Sequence, residues 1–260
     1  MEIVICPDAK QAGQLGARVI TALLKRKPDA VLGLATGSSP LAIYDELAAR
    51  CDAGEVSFAK ARGFSLDEYV GLPSEHPETY HNVIRKDFVH RVDFDDSAVR
   101  GPDGLAQDIP AFCAEYEAAM AQAGGVDLQI LGIGTDGHIG FNEPGSSFAS
   151  LTRVKTLTEQ TRQDNARFFD TIDDVPMHCI TQGLGTILRA RHLVLLAFGE
   201  GKAQAVAGAL EGPVTASLPG SAIQLHPHAT VVADEAAASA LRFAEYYRYT
   251  LANKPAWQGL

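Results

Sequence analysis

Cysteine, positive charge and long apolar runs are all scarce in this chain, and each shortage removes a class of protein. Only Cys6, Cys51, Cys113 and Cys179 occur. None stands near enough to another for a C-x-x-C metal or redox motif. Their scatter reads as reduced thiols of a cytoplasmic protein, mostly small buried residues. Lysine and arginine total 22 against 32 aspartates and glutamates, a net charge of −10. A nucleic-acid surface needs the opposite balance, so no such partner is expected. One anion-binding pocket stays compatible, because local potential need not follow total charge. Apolar runs such as 193–198 fall far short of the ~20 residues of a membrane span. No basic-then-apolar leader precedes a small-residue cleavage site, so neither a membrane nor export is expected.

What is present is ordinary globular material: 46% hydrophobic and 21% charged residues over 260 positions. Short apolar runs alternate with helical patterns. Strands are expected at 3–6, 31–35, 62–66, 127–133, 192–197 and 229–233. Helices are expected at 8–25 with Asp8 as cap, at 40–50, at 77–89 and 110–123 (each opened by proline), and at 235–251. Continuous apolar strands separated by helices predict an open, mainly parallel, doubly wound α/β sheet with helices on both faces, Rossmann-like in organisation. No repeat or linker interrupts it, so a single domain over 1–260 is expected. Residues 152–176 differ in texture, rich in Arg, Thr, Asp and Gln. They read either as a solvated flap over the core or as a surface helix.

In open α/β sheets ligands sit beyond the carboxyl ends of the strands, and four strand ends here carry polar clusters. Thr36-Gly37-Ser38-Ser39-Pro40 follows a strand and opens a helix, where free N–H groups and the dipole suit a phosphate; a plain capped turn reads equally well. Asp67 and Glu68 follow the third apolar run and offer a general base, or only a solvated turn. Asp136, His138 and Glu143 fall within eight residues among glycines. A histidine between two carboxylates can be oriented and poised for proton transfer. Metal ligation by the same three is the rival, although no second histidine and no H-E-x-x-H pattern accompany them. Lys202, at another strand-to-helix turn, could neutralise a phosphate or be merely solvated, and Arg162 and Arg167 could add a cation from the flap. His226 and His228 straddle Pro227 and read as a turn into the last strand rather than a metal pair.

In this order the clusters resemble the glucosamine-6-phosphate deaminase family over almost the whole chain. The matching runs are Leu-Ala-Thr-Gly-Ser-Ser-Pro, Ser-Leu-Asp-Glu-Tyr-Val-Gly-Leu, and His-Pro-Glu-Thr-Tyr at 76–80. They continue with Gly-Thr-Asp-Gly-His-Ile-Gly-Phe-Asn-Glu-Pro-Gly-Ser-Ser, Thr-Arg-Val-Lys-Thr-Leu-Thr at 152–158 and Leu-His-Pro at 225–227. The resemblance implies a hydrolase of a C–N bond, turning glucosamine 6-phosphate into fructose 6-phosphate and ammonia, with a small phosphorylated amino sugar as partner and no cofactor or metal. By resemblance Asp67 moves the C2 proton, and His138 opens the ring with Asp136 and Glu143 tuning it. Gly37, Ser38, Ser39, Arg167 and Lys202 would hold the phosphate, under a mobile lid at about 156–180. Family members can be hexamers activated by N-acetylglucosamine 6-phosphate, and Tyr116, Ser146, Arg153 and Lys155 match that effector site. His192 stands where regulated members carry an acid, and Phe243 where they carry a tyrosine. Rival readings are a 6-phosphogluconolactonase, which shares a Gly-x-x-x-Asp-Gly-His segment, a galactosamine 6-phosphate deaminase, and a sugar-phosphate sensor domain.

Overall fold

The computed structural model describes residues 1–255 and 257–259. In chain order its elements are β1 (Glu2–Cys6), α1 (Ala9–Arg26), β2 (Val31–Leu34), α2 (Leu41–Asp52), β3 (Arg62–Ser65), β4 (Asp67–Tyr69), α3 (Tyr80–Asp87), β5 (Val99–Arg100) and α4 (Ile109–Gln122). There follow β6 (Leu128–Gly132), β7 (Arg153–Thr156), α5 (Glu159–Asn165), β8 (His178–Thr181), α6 (Leu184–Ile187), β9 (Leu193–Ala197), α7 (Ala203–Glu211), β10 (Ala229–Asp234) and α8 (Ala244–Ala252).

Seven strands form a sheet in the order β1-β10-β9-β6-β2-β3-β5, every pairing parallel. The interior strands are apolar along their length because helices cover both faces: β2 and β9 are buried at every position. From β2 the chain winds outward to β3 and β5; from β6 it winds the other way, to β9 and β10. The neighbouring carboxyl ends of β2 and β6 therefore flank a topological switch point, where such folds open a crevice.

A second, antiparallel sheet in the order β4-β8-β7 sits beside the first, and the sequence pattern did not show it. Leu66 is the joint: its N–H donates to Leu34 O in the large sheet, while its carbonyl accepts from Gln182 N. One residue later the chain is in β4. The small sheet carries its own apolar cluster of Tyr69, Phe141, Leu157 and Cys179, joined by Tyr80 and Phe169.

Three element boundaries differ from expectation. The helix after Pro77 starts only at Tyr80, because the Thr79 hydroxyl accepts from Asn82 N and caps it there. The helix expected over 235–251 shrinks to α8. The Asp234 carboxylate accepts from Ala237 N, and Glu211 accepts from the N–H groups of Arg242 and Phe243, so tertiary acceptors divert the backbone of this alanine-rich stretch. Residues 178–180, inside the expected lid, belong to β8, and Cys179 and Ile180 are fully buried there. The remainder, 157–177, is the crossing segment from β7 to β8, of which Thr161, Asp164, Asn165 and Arg167 line the cavity at the switch point. No described helix is long and apolar enough to cross a membrane, and all four cysteines are unpaired.

Candidate active site

A cavity of about 400 Å³ opens at the switch point. Its wall includes Gly37, Ser38 and Ser39 after β2, Asp67 at the start of β4, His138 after β6, Arg167 from the crossing segment and Lys202 after β9. Residues spread over 165 positions of chain thus face one space.

Asp67 owes its place to the change of sheet at Leu66, and it is only 7% exposed. Burial, and after it the charge of Glu68, push its carboxyl up to about 7, against the pull of His138 and the Phe141 N–H. Glu68 points elsewhere. It accepts from the N–H groups of Tyr69, Tyr80 and His81, and so ties β4 to the start of α3 and sets Tyr80 in the cavity wall.

The loop after β6 is shaped by its own side chains. Asp136 Oδ1 accepts from His138 N, an Asx turn. The imidazole then folds over Gly134, where a Cβ would collide with the ring, so glycine leaves it room. At Gly140 the loop backbone passes beside Asp67: a Cβ there would sit 3.6 Å from Asp67 Oδ2.

His138 Nδ1 lies 2.7 Å from Asp136 Oδ1 and 3.6 Å from Glu143 Oε2. The first is a short ionic contact rather than an aligned bond, and Asp136 Oδ2 and Glu143 Oε2 are buried without a hydrogen-bond partner. Burial works against the imidazolium, yet the two carboxylates prevail and hold its pKa up to about 9. Asp136 is itself driven well below the usual carboxylate range, the imidazole overcoming the cost of burial. Glu143 Oε1 accepts from Thr158 N, the residue capping α5. The donor atoms of the three residues all lie within 4.8 Å, a spacing a metal could use. Only His138 lines the cavity, however; both carboxylates stand behind it. A catalytic metal must offer an open position to its substrate, and an ion here would be screened from the cavity by the imidazole.

The same cavity also gathers groups whose chemistry suits an anion. The backbone N–H groups of Gly37, Ser38 and Ser39 have no acceptor among the described residues, and neither have the two hydroxyls. Lys202 has no carboxylate within ion-pair distance among the described residues, nor has Arg167, which rests over the Phe168 ring at 4.7 Å. Burial pulls the Lys202 ammonium down, with Asp164 opposing and Arg167 adding to it. Two neighbouring cations and a row of unspent donors describe a seat for a doubly charged group.

The chain matches the family model described as glucosamine-6-phosphate isomerases/6-phosphogluconolactonase over residues 8–232. It belongs to this family. A glucosamine-6-phosphate deaminase of Mycolicibacterium smegmatis is 65% identical over the full length of both chains, and one of Streptomyces coelicolor is 63% identical over the same span. Among solved structures, one described as a monomeric glucosamine-6-phosphate deaminase superposes with a TM-score of 0.90 at 44% identity, over 92% of this chain and 100% of its own. A 6-phosphogluconolactonase from Leishmania guyanensis shares the fold alone, at 23% identity and a TM-score of 0.71, over 91% of this chain and 97% of its own.

Within this member of the isomerase/lactonase family, some expected residues lie off the cavity. Arg162 is spent on the carbonyls of Val175 and Ile172, so it braces the crossing segment and is not a second phosphate cation. His226 is buried against Ala190 O and His228 stacks on His192, the turn expected rather than a metal pair. Of the effector-site matches, Arg153 and Lys155 share one face of β7, and Ser146 Oγ donates to Glu143 O. Tyr116 is fully buried, its hydroxyl donating to Ser65 O and Arg100 O, and has no exposed atom for an effector. Thr135, Asp164 and Asn165 line the cavity and escaped the sequence reading. Asn142 did too. Its amide donates to Ile139 O and Gln182 O and its oxygen accepts from Arg153, pinning the histidine loop to β8 and β7.

Proposed function

We propose that this chain converts D-glucosamine 6-phosphate and water into D-fructose 6-phosphate and ammonia, acting in the cytoplasm. The observation that carries the reading is the shared cavity: its wall gathers a buried carboxylate poised near neutrality, a carboxylate-backed imidazole and two unpaired cations. Relatives at 59–65% identity bear the name of that activity. The four unpaired thiols fit a reducing compartment.

The steps follow from the chemistry of the sugar. A closed pyranose has no acidic C–H. His138 first moves a proton from the C1 hydroxyl to the ring oxygen, so that the C1–O5 bond breaks and an aldehyde forms; Asp136 and Glu143 hold the ring nitrogen facing away from the sugar. The C2 hydrogen then lies next to a carbonyl. Asp67 removes it while His138 protonates the C1 oxygen, giving an enolamine. Asp67 then returns its proton to C1, leaving an iminium at C2, and His138 recovers a proton from the water that adds. Water adds there, the C–N bond breaks, ammonia departs and the 2-ketone remains. Each acid–base group is worth ~10²–10⁴ in rate, and the phosphate anchor adds positioning.

Gly37, Ser38, Ser39, Lys202 and Arg167 are the proposed phosphate seat, with 157–177 as the lid above it. The cavity is complete within one chain, and the 44%-identical neighbour is described as monomeric, so neither supplies a reason for the reaction to need a homo-oligomer. For an anionic effector, Arg153 and Lys155 are the candidates, since they bring two cations to one strand face.

The deciding experiment is ammonia release from glucosamine 6-phosphate by the purified protein, with chelator present and galactosamine 6-phosphate and 6-phosphogluconolactone as competitors. Turnover of the gluco amino sugar supports the reading. Hydrolysis of the lactone with the amino sugar ignored overturns it.

A further inference from the structure

We infer that Asp164 is a positioning residue, a latch that holds the lid down on the catalytic loop through Thr135. The inference rests on the phosphate seat proposed above. Asp164 Oδ2 accepts from Thr135 Oγ1 at 2.9 Å, a contact between residues 29 positions apart. Its other oxygen accepts from Gln160 Nε2 at 2.8 Å, one turn earlier on α5, which fixes the carboxylate's direction. Thr135 lies directly before Asp136, in the loop that carries His138. Arg167 follows Asp164 by three residues. One hydrogen bond therefore joins the lid's phosphate-binding cation to the loop of the ring-opening histidine.

The charge makes the assignment testable by sign. Asp164 lines the cavity close to Lys202, and a carboxylate beside a phosphate seat repels the ligand. A residue acting there by charge alone would weaken phosphate binding, and its removal would lower KM. A latch does the reverse, because its loss lets Arg167 swing away.

Asp164→Ala and Thr135→Val are each expected to raise KM for glucosamine 6-phosphate about three- to tenfold, the worth of one hydrogen bond, with kcat little changed. The double variant should be no worse than Asp164→Ala, since both remove the same bond. Asp164→Asn keeps an acceptor for Thr135 and loses the charge, so its KM should stay at or below that of the unaltered chain. A second readout needs no turnover: tryptic cleavage after Arg162 and Arg167 should quicken in Asp164→Ala and Thr135→Val and not in Asp164→Asn. A KM for Asp164→Ala equal to or below that of the unaltered chain, additive effects in the double variant, or unchanged lid cleavage would overturn the latch. If the unaltered chain fails to release ammonia, the proposed function falls by itself, and the cleavage rates still decide the latch.

Discussion

His138 Nδ1 approaches Asp136 Oδ1 to 2.7 Å on the side of the ring away from the cavity. The imidazole is thereby kept charged to about pH 9 while its free edge stays with the ligand. Activity that uses the imidazolium as acid should fall as pH rises through about 9. Asp136→Asn removes the nearer carboxylate, so the alkaline limb of kcat/KM should move down towards the ordinary histidine value near ~6.5, with kcat/KM reduced by ~10² or more. The sign for stability is the same. The folded-state pKa is raised, so the pair's stabilisation is full below ~6.5 and lost as pH climbs through about 9. A pH–rate profile that is identical in the variant would contradict this role.

Asp67 behaves in the opposite sense as a base. With its carboxyl near 7, the free enzyme's kcat/KM should drop as pH falls below about 7. The raised pKa also means the folded chain binds more protons than the unfolded one between ~3.8 and about 7, so stability declines as pH rises through that window. Asp67→Asn should accordingly melt higher at pH 7.5, by about 2 °C or more, and thermal denaturation checks it. A lower melting temperature would show that the buried charge is compensated.

Lys202→Ala and Arg167→Ala should raise KM about tenfold or more each while kcat stays within a few-fold, because phosphate is held in ground and transition states alike. Steady-state kinetics decides. Loss of kcat with KM unchanged would place either residue at the reacting carbons instead.

Chelator treatment should leave the rate unaltered. The carboxylates that could ligate an ion stand behind His138 rather than in the cavity. A fall in rate on dialysis against EDTA, restored by one divalent metal, would give the Asp136–His138–Glu143 cluster a different job.

How much of this was legible in the sequence varies by element, for physical reasons. The buried strands of the large sheet stand out because two covered faces make them apolar throughout, as in Val31–Leu34 and Leu193–Ala197. The small sheet hid itself. Its β4 is three residues, Asp67-Glu68-Tyr69, and reads as an acidic turn, while its β7 alternates with exposed positions and reads as part of a solvated flap or surface helix. The candidate site was visible as clusters at strand ends, but residue chemistry alone did not show which flap arginine faces it; the family resemblance pointed to Arg167. Arg162 and Arg167 have the same chemistry, and only the fold shows that two backbone carbonyls occupy the first. Asp164 could not be found at all, since its partner Thr135 lies 29 positions away.

The account turns on Asp67 and His138 serving one tethered sugar, and Asp67→Asn tests it most directly. Turnover of glucosamine 6-phosphate by this variant should fall by at least ~10³, while it still binds the sugar phosphate within a few-fold of the unaltered chain. Ammonia release within tenfold of the unaltered rate would contradict the account, because the proton at C2 would then have another base.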